Sequence, residues 1–528
     1  MAFNIVQAGT NLWALNPQGG SLPNPLGMPT GVTLRSNLVP RFARFKQYVI
    51  VVNTPTRPIT IDTNGSTRVL TPAAPSTAPV LSSAAGGGLV GNFLVKQTFQ
   101  MLDGQGNVIA ESGYGPVSNL GSLSAAAYLR AINLNLSADS SVNASGLYRT
   151  TSTGGVFFPW LTVPGNINTT IQDDTSDAGL GLIAGGVLGA PPDLTLCTQW
   201  QGRLWGVDRV DVDHLRWTEA GEMYAWGALD IMPIGPTGDD RYGITALAPR
   251  RDALGVGRRN VLVQVTTSDG VTFTPTTLMN NCGIVSQESV VVWRDTAYFL
   301  WLDGVYQWND AVGVVCISDA GNVRSWFATD TYFNRGMFSQ AFAVMDPSDV
   351  TYRLCLCAAG SLVPNRWVEY NIATGKWYGP HQTSAFTLQS AFLMRGANDQ
   401  QYCVAGSVEG HLSVDTESRV DWGVVSILED VITKPFTGGT PDRDTLFGEV
   451  SLYGEAQPSG TLTVTSTVGP LQHGFVNPPD TADLTMARNR LFRVGEGKHA
   501  SLELTNAQLG VNPVLYGLTI PTTDVGRR

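Results

Sequence analysis

Three carboxylates lie close together in the segment DRVDVDH, and carboxylates are side chains that bind calcium. Asp211 and Asp213 fall on one face of a predicted strand, with Asp208 nearby. Turn carbonyls could complete such a site, but no Gly and Glu follow at the spacing of a calcium-binding loop. The segment fits either a calcium site or a solvated hairpin turn, and the missing residues favour the turn.

The segment APRRDALGVGRRN holds the densest group of cations in the chain: Arg250, Arg251, Arg258 and Arg259. Clustered guanidinium groups are what a protein uses to face DNA or an acidic partner. The alternative is two hairpin turns with exposed arginines, because turns commonly carry charges. Both interpretations expect these side chains at the surface.

No combination of nucleophile, base and orienting group can be named in the chain. It lacks the G-x-S-x-G, H-E-x-x-H and phosphate-cradling glycine motifs. Its five histidines stand far apart, without the spacing of metal ligands: His214, His381, His411, His473 and His499. We therefore predict no enzymatic activity, no cofactor and no metal.

The six cysteines are scattered through apolar segments, without a C-x-x-C pair: Cys197, Cys282, Cys316, Cys355, Cys357 and Cys403. Free cysteines are among the most buried residues in proteins. We expect most of these to be core thiols, with a metal or redox site at Cys355 and Cys357 as the alternative.

The balance of charges limits the possible partners. The chain of 528 residues has 33 basic and 43 acidic side chains, a formal net charge of −10, and only 14% charged residues. Binding phosphate tightly needs clustered cations, whereas an acidic wall lets DNA pass without sticking. So low a charged fraction suggests a neutral polar surface, or a surface buried against other copies.

Neither a secretory signal nor a membrane span is expected. No Lys or Arg precedes the apolar residues of MAFNIVQAGTNLW. The longest uncharged apolar stretch, AGLGLIAGGVLGAPP at 178–192, is short and rich in Gly and Pro. We expect a soluble chain made in the cytoplasm.

Short apolar runs between Gly, Asp and Asn turns predict an almost entirely β protein. VVWRDTAYFLWLDGVYQWND, at 291–310, reads as three strands joined by two tight turns. The segment SLSAAAYLRAI, around Leu123, is the best candidate for a short helix.

Four zones follow along the chain. Strands within 1–83 are predicted to complete a β-propeller, and the tract TPAAPSTAPVLSSAAGGG reads as a linker. Residues 89–181 have the strand density of an inserted fibronectin-like β-sandwich. Residues 192–420 repeat a meander every forty to fifty residues, as propeller blades do, and 421–528 predict a C-terminal β-sandwich.

Several phrases resemble the β-propeller tail proteins of short-tailed bacteriophages, the nozzle or DNA-stabilisation proteins. They are GRLWGVD, LRWTEAGEMYAW, NNCGIVSQESVVVWRDTAYFLWLDGVYQWND and WVEYNIATGKWYGP. The segment FQMLDGQGNVIAESGYGP is similar to the fibronectin-like domain often inserted in such proteins. The chain departs from the family in its sparse Lys content.

This resemblance implies a structural subunit of the virion tail that forms a homo-oligomeric ring, with a hexamer favoured. The expected partners are a tail adaptor or portal-proximal ring protein, tail fibre or spike proteins, and viral DNA that passes through the lumen without sequence recognition. The alternative function is a carbohydrate-binding or receptor-binding propeller protein of the tail.

Overall fold

The structure is a computed structural model. It describes residues 4–524 apart from 9, 16–23, 30, 31, 33, 35–38, 53–57, 182–191, 236–242, 322, 383–386, 396–400, 408–411, 415–419, 422–424, 427, 428, 433–444, 470–474 and 507–514. The described residues fall into two compact units, which divide at Leu412.

The first unit begins with two small antiparallel sheets. An N-terminal sheet of three strands consists of β1 (Asn4–Ala8), β2 (Asn11–Leu15) and β3 (Asn24–Pro25). Sheet 1 has four strands in chain order: β4 (Arg41–Phe45), β5 (Tyr48–Val52), β6 (Ile59–Ile61) and β7 (Thr67–Val69). The apolar strand β5 supplies Ile50, Val51 and Val52 to the core.

A sandwich of seven strands follows sheet 1. Its strands are β8 (Val80–Phe93), β9 (Val95–Leu102), β10 (Val108–Glu111), β11 (Gly121–Ile132), β12 (Ala144–Thr150), β13 (Phe157–Pro164) and β14 (Thr170–Asp173). They form two sheets, ordered β10-β9-β12-β13 and β14-β11-β8. Leu81, Phe93, Leu129, Leu147 and Trp160 belong to the apolar cluster of this domain.

Two predictions for this region are wrong. The tract interpreted as a linker contains the start of β8, so the expected boundary between 83 and 89 falls inside a strand. The helical candidate lies in β11. Leu123, Leu129 and Ala131 are buried, while Ser122 and Arg130 are exposed, and this burial on alternate positions outweighs the helix propensity of the alanines.

Five further sheets follow the sandwich, each an antiparallel meander in chain order. Sheet 2 contains β15 (Leu194–Trp200), β16 (Arg203–Asp208), β17 (His214–Thr218) and β18 (Trp226–Pro233). Sheet 3 contains β19 (Ala246–Pro249), β20 (Leu254–Gly257), β21 (Val261–Thr266) and β22 (Thr274–Asn280). Sheet 4 contains β23 (Val291–Trp293), β24 (Thr296–Trp301), β25 (Gly304–Asn309) and β26 (Gly313–Cys316).

Sheet 5 contains β27 (Phe342–Asp346), β28 (Thr351–Cys357), β29 (Pro364–Asn371) and β30 (Lys376–Gln382). Sheet 6 has three strands in the described part of the chain: β31 (Leu388–Arg395), β32 (Gln401–Ser407) and β33 (Leu412–Val414).

Helical segments are short: α1 (Ile317–Ala320), α2 (Arg324–Ala328) and three 3-10 turns at Asp177–Gly179, Gln287–Ser289 and Arg335–Gln340. Across the described residues, no helix has the length and apolar character needed to cross a membrane.

The six sheets are arranged as the blades of a β-propeller. The first strand of each sheet packs beside the first strand of the next, from β4 through β15, β19, β23 and β27 to β31. Apolar clusters fill the spaces between successive sheets; one of them joins Trp205 of sheet 2 to Leu254 and Val263 of sheet 3. The predicted meander at 291–310 is confirmed as β23, β24 and β25 with its two tight turns.

The second unit is also made of strands: β34 (Val420–Asp421), β35 (Val425–Ser426), β36 (Glu429–Ile432), β37 (Thr445–Gly454), β38 (Thr461–Gly469), β39 (Phe475–Val476), β40 (Asp480–Asp483), β41 (Arg488–Gly497), β42 (His499–Asn506), β43 (Leu515–Thr519) and β44 (Thr522–Asp524). Two sheets are built on β38 and β37. Along β42, Ala500, Leu502 and Leu504 are buried, which gives the strand one core face. The predicted all-β class, a propeller with an inserted and a C-terminal sandwich, is confirmed.

Gly283, between β22 and β23, lies against the turn that follows β20. A Cβ atom there would be 1.9 Å from the backbone oxygen of Arg258. We expect Gly283→Ala to lower the free energy of unfolding by at least about 2 kcal/mol, because backbone cannot yield as a side chain does. Denaturant unfolding followed by tryptophan fluorescence measures this loss.

The matched control is Gly336→Ala in the 3-10 turn of the same unit. Its nearest neighbour would be a side-chain oxygen of Asn334 at 3.3 Å. This variant should stay within about 0.5 kcal/mol of the parent. Equal stability of the two variants would contradict the packing described around Gly283.

Candidate functional site

The 3-10 turn that leads into β23 is a polar site with hydrogen bonds to several sheets. We call Ser286, Gln287, Glu288 and Ser289 the hub. The turn is stabilised locally, since Ser289 donates from its backbone N and, at 2.8 Å, from its Oγ to the backbone oxygen of Ser286. The residues of this turn also bond to strands of neighbouring sheets.

Gln287 bonds to sheet 3 as an additional backbone residue would. Its Oε1 accepts from the backbone N of Leu247 at 2.7 Å, and its Nε2 donates to the backbone oxygen of Leu247 at 3.1 Å. The side-chain amide therefore satisfies both polar groups of one residue of β19. Buried backbone groups need such partners, because leaving one unpaired costs free energy.

The two serines of the hub contact sheets 4 and 5. Ser286 Oγ donates to the backbone oxygen of Ala341, just before β27, at 2.7 Å. Ser289 Oγ accepts from the backbone N of Leu300 at 3.2 Å, and its backbone oxygen accepts from Tyr352 Oη at 2.8 Å. Burial raises the pKa of the Tyr352 phenol well above its ordinary value, so this donor keeps its proton.

Glu288 connects the hub to the first two sheets through Arg41. The Nε of Arg41 lies 2.7 Å from Glu288 Oε1, and its Nη1 donates to the backbone oxygen of Thr195 in β15 at 3.0 Å. The two charged side chains are 26% and 24% exposed. Through four consecutive residues and one arginine, the hub thus contacts five sheets.

The predicted arginine cluster is divided between opposite ends of β20. Arg250 precedes the strand and Arg258 follows it, so the length of the strand separates the two side chains. Both are buried, each with 3% exposure. The expectation of four exposed arginines in one cluster is therefore wrong for this pair.

Arg250 ties sheet 3 to sheet 4. Its guanidinium group lies 2.9 Å from Asp310 and 3.2 Å from Asp295, and it stacks 4.4 Å from the ring centre of Trp308. Burial alone would lower the pKa of Arg250, but the two carboxylates more than compensate and raise it. A buried cation is stable here because it is both paired and stacked.

Arg258 ties sheet 3 to sheet 2 at the other end of β20. Its Nη1 donates to the backbone oxygen of Ile234 at 2.6 Å, and its Nη2 lies 3.1 Å from Asp213 Oδ1. The buried arginines are thus joints between sheets. Arg251 has an 83% exposed side chain and Arg259 is half-buried, and for these two a role in contacting DNA or a partner stays a prediction.

The acidic segment before β17 is used in ion pairs. Asp208 and Asp211 lie 3.4 Å and 3.6 Å from nitrogen atoms of Arg216, whereas Asp213 faces Arg258. The three carboxylates therefore form ion pairs with two different guanidinium groups and do not converge on one point where a cation could bind. This arrangement supports the hairpin-turn interpretation and not the calcium interpretation.

The structure brings together three carboxylates that the sequence does not group. Oxygens of Asp252, Asp295 and Asp310 lie within 4.8 Å of one another. They come from three different turns of two sheets, so no local spacing predicts the contact. Arg250 and Arg251 offset much of this negative charge, since Arg251 Nε lies 3.4 Å from Asp252.

All six cysteines are free thiols, and Cys282, Cys355, Cys357 and Cys403 are buried, as expected. Burial raises the pKa of Cys282 to about 12 and that of Cys357 to about 11. A raised pKa keeps the thiol protonated and chemically inert.

Of the histidines, His411 and His473 lie outside the described residues, as does most of the apolar stretch at 178–192.

The contribution of the Arg250 joint to stability can be tested by comparing substitutions of Arg250 and its neighbour Arg251. We expect Arg250→Ala to lower the free energy of unfolding by about 2 kcal/mol, since it removes a stacked, paired cation but leaves two solvated carboxylates. Arg251→Ala should change it by less than about 0.5 kcal/mol. Denaturant unfolding distinguishes them, and a larger effect at Arg251 would contradict the assignment.

The link between Arg41 and the hub predicts energetic coupling over a long separation in sequence. A double-mutant cycle with Arg41→Ala and Glu288→Ala should give a coupling free energy of about 1 kcal/mol, because the pair is three-quarters buried. Arg44→Ala combined with Glu288→Ala is the control and should be additive. Additivity in the first cycle would show that the ion pair contributes nothing to stability.

Comparisons with known proteins give no assignment. No family model and no curated protein matches the chain. A protein from Lactobacillus plantarum is similar with a TM-score of 0.28 and 10% identity, covering 78% of this chain and 99% of its own. An exo-beta-1,3-galactanase from Phanerochaete chrysosporium has a TM-score of 0.19 and 11% identity, covering 80% and 100%.

The extracellular domain of a one-component system protein from B. thetaiotaomicron has a TM-score of 0.26 and 9% identity, covering 99% of this chain and 85% of its own. Similarities this weak carry no information about activity or ligands.

Proposed function

We propose that the chain is a structural subunit of a bacteriophage tail, a nozzle or tail-tube ring that forms the DNA exit channel and helps to retain and then release the genome. The observation that supports this best is the hub. Directional hydrogen bonds from one turn hold the first strands of several sheets in fixed positions, as a wall segment requires. The resemblance of several sequence phrases to short-tailed phage tail proteins supports the same proposal.

The charges favour a surface along which DNA slides. The chain has a formal net charge of −10, and Arg250 and Arg258 are buried in joints between sheets. Arginines held in this way cannot neutralise phosphates, and phosphate contacts supply most of the non-specific affinity for DNA. The proposed channel therefore passes DNA without recognising its sequence, and repulsion keeps the DNA mobile.

A ring requires contacts between copies. In a closed cyclic assembly each copy presents two different patches, one to each neighbour. The low charged fraction, 14%, is compatible with large contact areas, since interface cores are poor in charged residues. We favour a hexamer in the virion, made from chains synthesised in the host cytoplasm, between an adaptor or portal-proximal ring and the tail fibres or spikes.

The proposal is tested by the mass and symmetry of the purified protein and by its place in the particle. We expect light scattering to give a mass near six times 56.4 kDa, and negative-stain averages to show a closed ring. Gold-labelled antibodies should mark the tails of particles made from the genome that encodes the chain.

Two results would count against the proposal. A chain absent from purified particles would exclude a tail subunit whatever its mass in solution. Reproducible binding of the free chain to a glycan array, together with a monomeric mass and no labelling of tails, would favour the carbohydrate-binding alternative.

A further inference from the structure

The face of sheet 5 that is turned towards sheet 6 carries a histidine with a buried, unpaired nitrogen. Within the sheet, Trp367 of β29 lies opposite both Cys355 of β28 and His381 of β30. Cys355 is near enough to Cys403 of β32 for the two to interact electrostatically. The opposite face of sheet 5, with Leu354 and Val368, packs on sheet 4, and β29 packs beside β31 of sheet 6. The face that carries His381 is therefore the one turned towards sheet 6.

The imidazole of His381 is held by packing instead of hydrogen bonding. Its ring lies 5.4 Å from the ring of Trp367, at an interplanar angle of 31°. Its Nε2 is buried and has no hydrogen-bond partner. When the imidazole is neutral and its proton is on Nδ1, Nε2 needs no acceptor. Protonation of the ring would add an N–H group at Nε2, where the structure provides no acceptor.

The charged neighbours of His381 are engaged with other groups. Glu369 Oε1 on β29 accepts from Trp367 Nε1 at 3.1 Å and lies 3.4 Å from Arg353 Nε on β28. Arg353 also faces Asp346 at 3.1 Å and Asp349 at 4.0 Å. Beyond Arg353, the titratable side chains on this side of β28 are those of Cys355 and Cys357. The sequence of sheet 6 adds Arg395 at the end of β31, and Tyr402 and Cys403 in β32.

We propose that His381 is a pH-sensitive joint, which holds sheet 6 against sheet 5 while its imidazole is neutral and loosens sheet 6 when the imidazole takes up a proton. The joint is an inference about the propeller alone and does not depend on the proposed role in a virion. Sheet 6 is the last sheet before the chain enters the second unit, so loosening it frees one end of the propeller.

The direction of the pH effect follows from burial. Burial lowers the pKa of His381 below its ordinary value of 6.5; nearby Glu369 opposes this shift and Arg353 adds to it. The closed arrangement thus binds fewer protons than the open one. The closed arrangement is fully stable above about pH 6.5 and loses stability as the pH falls from there towards the lowered pKa of His381. In that range the equilibrium constant for opening rises by no more than about tenfold per pH unit.

Hydrogen exchange measured by mass spectrometry at pH 7.5 and pH 5.5, corrected for the intrinsic rate, tests the proposal on the full chain. We expect exchange in peptides from β31 and β32 to increase several-fold at pH 5.5, with no comparable change in β24 and β25. His381→Gln cannot titrate, and it should abolish the difference between the two pH values. His214→Gln, which changes a histidine of sheet 2, should retain it.

The proposal is overturned if the parent chain shows no pH-dependent exchange in β31 and β32, or if His381→Gln shows the same dependence as the parent. A second measurement needs no variant. The imidazole resonance of His381, followed by NMR with labelled histidine, should titrate with a midpoint below 6.5. A midpoint at or above 6.5 would also refute the joint.

Discussion

The arrangement of the sheets depends on satisfying buried polar groups where their first strands meet. Five of the sheets reach the hub, and each would otherwise present backbone groups or charges without partners. Arg41 and Glu288 join residues separated by 247 positions in the chain, and Gln287 reproduces the hydrogen bonds of a strand residue. Apolar packing alone would allow neighbouring sheets to slide, whereas directional bonds fix their relative positions.

The arginine joints extend this constraint to both ends of the sheets. β23 begins next to the hub and ends at the Arg294–Asp295 turn, so Asp295 lies at the opposite end of sheet 4 from the hub. Arg250 holds that end, through Asp295, Asp310 and the ring of Trp308. Cations that would be free to bind phosphate on the surface of another protein are here part of the interior.

The sequence was informative where the pattern is local. Alternation and turn residues were enough to predict the meander at 291–310. They failed at β8 and β11, where pairing between residues some thirty to fifty positions apart decides the structure against the helix propensity of the alanines. The helix predicted there is replaced by a strand because Leu129 and Ala131 alternate with exposed residues.

Contacts between sheets could not be predicted from spacing. The arginines were recognisable as a group, but their burial depends on aspartates in neighbouring sheets, 45 and 60 residues from Arg250. The hub has no composition that distinguishes it from an ordinary Ser-rich turn. In the sequence His381 is one of five histidines without the spacing of metal ligands. Its ring packing on Trp367 and its unpaired Nε2 are visible only in the structure.

The irregular pairing of β8 with β11 has a practical consequence. Residues 85–88 and 124–126 have no partners in the opposite strand, and most of them are small and exposed. Both segments are bulges within their strands, and Gly87 lies against the backbone of Ala127 and Tyr128. Because residues 124–126 are exposed and break no pairing of β11, a short epitope inserted between Ala125 and Ala126 would be displayed to solvent. Such an epitope offers a handle for imaging the intact protein in whatever assembly it enters.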